Sequence, residues 1–513
     1  MSYSAKIVIV GGGVAGLFSA YLLQKNGFKN IIILEARDRV GGRIHTVTHG
    51  TKKLFMGAEY LHISNARPNI AYELLKNNCN EIYNENDTVL QDFSHRGFSV
   101  SSKFSSMINT IWKEVSLSYD ESLAAIDGDV EFALEENKYK SLGEKLSETY
   151  KKIRDGFEGY SNAEKMFADA LFNAALRIIS DNEGEDSFKI SALLFGIPSK
   201  DTLDEFVTPK NGFGQLTDVL QSGIGSDCIK LNEPVTKICF TEETNDVNSV
   251  ITVCTESMSS YEADHVIVTL PVGVLQETYS TMFEPTLPDR KQKAIKYINP
   301  GSYFKIFFQF DDEIIKYLPS LSYAPVWLDD PDDQKSSKDL SEENFFHSVD
   351  KTWNRGISNI SFDSDKNLGT ASIIGKAARY AETLSDEELL DGLFKCLKST
   401  LRIALTITKP ELIGRTSWMS DPYCRGAFSS LSPRCDSEFI LTKDLAAPIL
   451  DKKKVARILF AGEATSTTAI ATVHGAMETA TRETERLISY YQIKNSISTC
   501  ILQLRWSSTP TDQ

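Results

Sequence analysis

Lys6-Ile7-Val8-Ile9-Val10-Gly11-Gly12-Gly13-Val14-Ala15-Gly16 is the stretch on which the fold turns. A β-branched apolar run ends in glycine. From Val14 the residues Ala15, Leu17, Ala20, Leu22 and Leu23 then recur at helical spacing until Gly27. Ile31-Ile32-Ile33-Leu34 predicts a second buried strand, so the opening is a βαβ unit with parallel strands and a right-handed crossover. The predicted class is α/β with a Rossmann-like domain. Gly11, Gly13 and Gly16 fit G-x-G-x-x-G. They put the backbone N–H groups of Val14 and Ala15, with the positive end of a helix, where a pyrophosphate would sit. Glu35 lies nineteen residues after Gly16, at the end of the second strand, where a carboxylate accepts hydrogen bonds from an adenosine ribose. An acid at that place disfavours a 2′-phosphate, and so NADP.

Outside this unit, 513 residues are too many for one core, and two or more domains are expected. A net charge of −15 leaves no positive field for phosphates, which excludes nucleic acid as a partner and favours a cationic ligand. No eighteen apolar residues run together. Leu487 to Leu504 is broken by Gln492, Lys494 and Asn495, so no membrane anchor is expected. The apolar run at Ile7 is too short for a signal-peptide core, and Pro510-Thr511-Asp512-Gln513 matches no peroxisomal or reticulum address. Eight cysteines fall singly, without C-x-x-C. This predicts reduced thiols, no metal site and a cytoplasmic protein. Long polar helices are expected from about Pro68 to Lys200, and strands at 228–231, 235–238, 264–269 and 305–310. The acidic stretch from Asp329 to Asn344 reads as a solvated loop, and Ile458-Leu459-Phe460 as a strand that precedes a small-residue helix near Val473.

Glu35-Ala36-Arg37-Asp38-Arg39-Val40-Gly41-Gly42-Arg43 resembles the extended dinucleotide motif of the flavin-containing amine oxidases. Gly57-Ala58-Glu59-Tyr60-Leu61-His62 is similar to their G-A-x-W-x-H-G, with Tyr60 and Ile63 as departures. Trp418-Met419-Ser420-Asp421-Pro422, Arg425-Gly426-Ala427-Phe428-Ser429, Phe460-Ala461-Gly462-Glu463-Ala464-Thr465 and Ala471-Thr472-Val473-His474-Gly475-Ala476 resemble later motifs, in family order. The resemblance covers about three fifths of the chain. It implies FAD, bound through Gly11, Gly13, Val14, Ala15, Gly16, Glu35, Ala36, Arg37, Gly42, Arg43, Gly57, Ala58, Glu59, Val235, Trp418, Gly462, Glu463, Thr472 and Val473. Within that set it implies that Arg43 meets a phosphate oxygen, Val235 (on an edge strand) the adenine, Glu463 the ribityl or its water, and Thr472 and Val473 the pyrimidine edge. It also implies Lys305 near flavin N5 through a water, His62 orienting the amine and Phe428 as a pocket wall. Without the resemblance, a lone lysine in Tyr303-Phe304-Lys305-Ile306-Phe307 reads as an edge-strand guard.

The departures narrow the activity. Where monoamine oxidases carry a flavin-linking cysteine, this sequence has Ala427, so the FAD is expected to be noncovalent. Histone lysine demethylases share the 471–476 string, but this sequence has no sustained heptad run. The polyamine and spermine oxidase group is the nearest. It implies oxidation of spermine, spermidine or N-acetylated forms to an aldehyde and an amine, with oxygen reduced to hydrogen peroxide, by a monomer or homodimer. Ile197, in Phe195-Gly196-Ile197-Pro198, stands where relatives often have an acid; Glu59, Asp201, Asp204 or Glu205 would have to substitute. Alternatives are another amine (a monoamine, an amino acid held by Arg379 or Arg425, or a methylated lysine) and a flavin-binding protein without catalysis. FAD segments near the beginning, middle and end predict a discontinuous FAD-binding domain over 1–70, 205–290 and 411–490. The same scattering leaves an α+β substrate domain, mixed sheet plus helices, over 71–204 and 291–410, and a tail over 491–513.

Overall fold

The computed structural model describes residues 3–63, 69–79, 102–127, 140–194, 205–225, 227–241, 250–311, 314, 321–327, 352–401 and 407–506. The acidic stretch 329–344, Ile197, Asp201 and Asp204 lie outside the described residues, as does the side chain of Glu205.

Six strands form one sheet in the order Ile449–Leu450, Ala456–Phe460, His265–Val268, Tyr3–Val10, Phe28–Leu34, Ile229–Lys230. Every neighbouring pair is parallel except the first. The apolar run at 7–10 is explained by burial on both faces. Ile7 and Ile9 join Leu17, Leu23, Met477 and Leu487 of the helices Val14–Lys25 and Val473–Trp506, whereas Val8 and Val10 join Ile238, Val253 and Leu275. Parallel register aligns Val10 with Leu34 and with Val268, and Val268 with Phe460. Gly11, Glu35, Thr269 and Ala461 therefore leave the sheet side by side at its carboxyl edge, the place where open α/β sheets hold ligands.

A second sheet is antiparallel, in the order Leu321–Tyr323, Ile357–Asp363, Leu368–Ile374, Tyr303–Gln309, Glu411–Arg415. Phe304, Ile306 and Phe308 enter a core with Ile360, Ile373 and Leu393. The period of two sends Tyr303, Lys305 and Phe307 to the opposite face. Lys305 lies on a strand paired on both sides, so it guards no edge; it is 7% exposed. The helices Ser102–Asp127, Leu142–Asp155 and Asn162–Glu183 share a further core that contains Ile111, Leu146 and Phe172. The last of these helices stops at Gly184, which takes a left-handed φ of 69°.

Three expectations are corrected. Glu411–Arg415 hydrogen-bonds to Tyr303–Gln309, which puts that strand in the second sheet although the sequence division began an FAD-binding segment at 411. The final helix runs unbroken from Val473 to Trp506, across the expected boundary at 491. The strand Val235–Thr241 is flanked by Val250–Thr255 and Phe283–Glu284, so it is no edge strand, although its first residues extend beyond the shorter neighbour.

Candidate active site

The glycine turn has the form expected of a phosphate cradle. Gly13 caps the helix Val14–Lys25 at an ordinary φ of −72°, with no side-chain cap. A Cβ added at Gly13 would meet nothing within 4 Å. A Cβ at Gly16, by contrast, would run into the carbonyl oxygen of Gly11, so that glycine serves helix–strand packing. Open space in front of uncapped helix N–H groups fits a pyrophosphate. Glu35, 6% exposed, accepts from the N–H of Gly12 (2.6 Å) on one oxygen and of Arg37 (2.9 Å) on the other. It thus fixes the turn while keeping lone pairs for a ribose. The Glu233 N–H bonds the Glu35 carbonyl at 2.9 Å, which brings half-buried Val235 to the same end. Ala36 is half-buried between Glu35 and Arg37. Gly13→Ala is expected to leave the thermal stability of the flavin-free protein unchanged and to weaken FAD binding at least about tenfold. Gly16→Ala should lower the stability itself, and thermal melts paired with flavin titration separate the two.

Several expected ligands are turned to protein partners. Arg37 donates to Asp421 Oδ1 (2.7 Å) and lies 3.2 Å from Cys424 Sγ, which ties its loop to the 421–424 turn. Arg43 donates to Ala427 O (2.9 Å) and Glu463 Oε1 (2.7 Å), beside Gly42 with its φ of 57°. Buried Glu463 also accepts from Ser429 Oγ (2.9 Å), Ser429 N (3.3 Å) and Ala471 N (2.9 Å). Four donors occupy its two oxygens, so Glu463 binds together the 43 loop, the wall segment 427–429 and Ala471, which holds a left-handed φ of 67°. Next to Glu463, the Gly462 N–H bonds Thr479 Oγ1 at 2.8 Å. Thr472 caps the final helix, its hydroxyl accepting from the Gly475 N–H at 2.9 Å, and Val473 is that helix's first residue. Trp418, also expected as a ligand, is buried and donates to Met56 O at 3.0 Å beside Gly57.

The Lys305 Nζ donates to Phe55 O (3.1 Å), Gly57 O (3.3 Å) and Glu59 Oε2 (2.7 Å). Ala58, between them, is held by its N–H to Arg43 O at 3.3 Å. His62 lies 5.4 Å, ring to ring, from His474. Burial, with His474 adding to it, pushes His62 down to about 3, so its imidazole is neutral at pH 7. Phe428 lies 5.6 Å from the Tyr303 ring. A Cβ on Gly184 would run into the Phe428 ring, which brings the end of the helix Asn162–Glu183 against the wall. That end is stitched to Lys305's strand by the Ser302 N–H to Gly184 O (2.7 Å).

Glu183 is the residue that the sequence reading missed. It stands in the acidic string Asp181-Asn182-Glu183-Gly184-Glu185-Asp186, which looks like a solvated helix end. Instead, desolvation pushes its carboxyl up to about 8, although the residue is only half-buried. Tyr303 likewise is pushed well above its ordinary range by burial while remaining half-buried. A carboxyl raised in the folded state binds its proton there more tightly than in the unfolded chain. Its unfavourable contribution is therefore absent below the ordinary 4.5, grows as pH rises, and is complete above about 8. Glu183→Gln is thus expected to gain thermal stability over the parent progressively between pH 5 and pH 9 in paired melts.

Arg379 and Arg425, the candidates for gripping an α-carboxylate, are paired with Glu185 (2.7 Å) and Glu277 (2.8 Å). Both line a cleft of about 370 Å³ whose lining includes none of Lys305, His62 and Phe428. Among the described residues seven cysteines are free thiols, no cluster of His, Cys, Asp and Glu could hold a metal and no helix is long and apolar enough to cross a membrane.

A family model described as flavin containing amine oxidoreductase matches residues 14–488. A human peroxisomal N(1)-acetyl-spermine/spermidine oxidase is 28% identical over 512 residues, covering 95% of both chains. Its Bos taurus counterpart is 27% identical over 506 residues, again with 95% of each covered. A probable polyamine oxidase 5 of Arabidopsis thaliana is 27% identical over 557 residues, covering 96% of this chain and 99% of that one. A putrescine oxidase bound to putrescine superposes with a TM-score of 0.64 at 20% identity, over 95% of this chain and all of that one.

Proposed function

We propose, for a chain that belongs to the flavin containing amine oxidoreductase family, that its substrates are polyamines: spermine, spermidine or their N-acetylated forms. The observation that carries this reading is the carboxyl of Glu183, pushed up to about 8 by desolvation, in the residue before Gly184, whose added Cβ would meet the Phe428 ring. A cationic nitrogen entering there favours ionisation of a carboxyl that the empty site keeps protonated, so a distal ammonium gains an ion pair where a monoamine gains none. The relatives named above as polyamine oxidases point the same way.

The bound FAD supplies a hydride acceptor for the amine α-carbon and a route for the electrons to oxygen. The overall change is a secondary or primary amine, oxygen and water going to an aldehyde, an amine and hydrogen peroxide. Neutral His62 is suited to hydrogen-bond a reacting nitrogen without repelling it as a second cation. Phe428 and Tyr303 hold the carbon chain against the cofactor side and exclude water. Lys305 presents its ammonium where Phe55, Gly57 and Glu59 converge, as a fixed charge for a water at the reacting edge. The FAD is held noncovalently: Ala427 has no nucleophile, and the buried Cys424 is pushed up by desolvation and turned to Arg37. Free thiols fit the cytoplasm. Hydrogen peroxide production against spermine, spermidine, N-acetylspermine, putrescine, benzylamine and amino acids tests the reading. Turnover is expected with the polyamines, and turnover confined to monoamines or amino acids would overturn it.

A further inference from the structure

Lys305's three ammonium protons meet three acceptors, and all three come from one five-residue stretch. Two are backbone carbonyls, and that backbone is pinned from its other side. The Met56 carbonyl accepts from Trp418 Nε1 at 3.0 Å, and the Ala58 N–H donates to Arg43 O at 3.3 Å. Only the third acceptor, the carboxylate of Glu59, can rotate. It makes the shortest contact of the three, 2.7 Å, and its side chain keeps 26% of its surface open against 8% for the lysine. Two carbonyls orient a cation without cancelling its charge, whereas a carboxylate does both.

We infer that Glu59 is a positioning residue: it fixes the direction of the Lys305 ammonium and offsets its charge in a site that must admit a cationic amine. This rests on the placing of Lys305 in the active site. Without Glu59 the lysine retains two weaker acceptors, faces several directions and stands as an unbalanced charge. The effect of Glu59 on chemistry therefore passes through Lys305.

A double-mutant cycle on the FAD-loaded protein tests this without assuming a substrate. Each variant is bleached with dithionite and mixed with aerated buffer, and the return of visible absorbance is timed. Glu59→Gln is expected to slow the return about tenfold in the parent and not to change it further in Lys305→Met. In parallel, native acetylation of Lys305 by an N-hydroxysuccinimide ester, read by peptide mass spectrometry, should be faster in Glu59→Gln. The same slowing in both backgrounds, unchanged acetylation, or loss of FAD from Glu59→Gln would overturn the inference. Parental rates in Lys305→Met would instead overturn the placing of the lysine, and the acetylation arm would still decide whether Glu59 holds it.

Discussion

Lys305→Met is expected to retain FAD yet lose about 10²- to 10³-fold in flavin reduction or its reoxidation. Methionine keeps the length and apolar stem of lysine inside a paired strand, so the Phe304, Ile306 and Phe308 core beneath it should survive. What goes is the group that joins Phe55 O, Gly57 O and Glu59 Oε2. Leaving a carboxylate and two carbonyls without their donor costs about 3 kcal/mol, so a lower melting temperature should accompany the kinetic loss. Stopped-flow traces with amine and with oxygen separate the two half-reactions. A variant with parental rates in both would show that Lys305 is not at the reacting centre.

Glu35→Ala is expected to purify without flavin. The change strands two N–H groups, those of Gly12 and Arg37, that now share one buried carboxylate. An unsatisfied buried donor costs about 1–3 kcal/mol, and the ribose loses its acceptor as well. Together these amount to about a thousandfold or more in affinity. The ratio of visible to ultraviolet absorbance after gel filtration checks it, and a yellow variant with parental affinity would refute the role given to Glu35. Loss of the cofactor also removes its linkage stabilisation, so the melting temperature should become dependent on added FAD.

The sequence was most informative where function is set by local backbone. The glycine turn, the carboxylate nineteen residues after Gly16 and the strand expected near 305–310 each follow from neighbours in the chain, and each is present in the structure. Long-range pairing was not legible. Nothing local distinguishes Arg43 as a partner of Glu463, 420 positions away, from an arginine that faces a phosphate. Glu411–Arg415 is the same case, because a short strand joins whichever sheet offers an open edge, and here Tyr303–Gln309 offers it. Glu183 was hidden by composition: an acidic string at a helix end normally lies in water, whereas desolvation raises the carboxyl of Glu183, the residue before the glycine whose added Cβ would meet Phe428. Glu59 was counted among the FAD contacts because of its motif, while its carboxylate is bonded to Lys305.

Anaerobic mixing of the FAD-loaded protein with spermine, followed at the visible flavin band, is the most direct test of the proposed activity. Loss of the band is expected, with its return and a stoichiometric yield of hydrogen peroxide when air is admitted. A band unchanged by spermine, spermidine and N-acetylspermine, but bleached by a monoamine or an amino acid, would contradict the polyamine assignment.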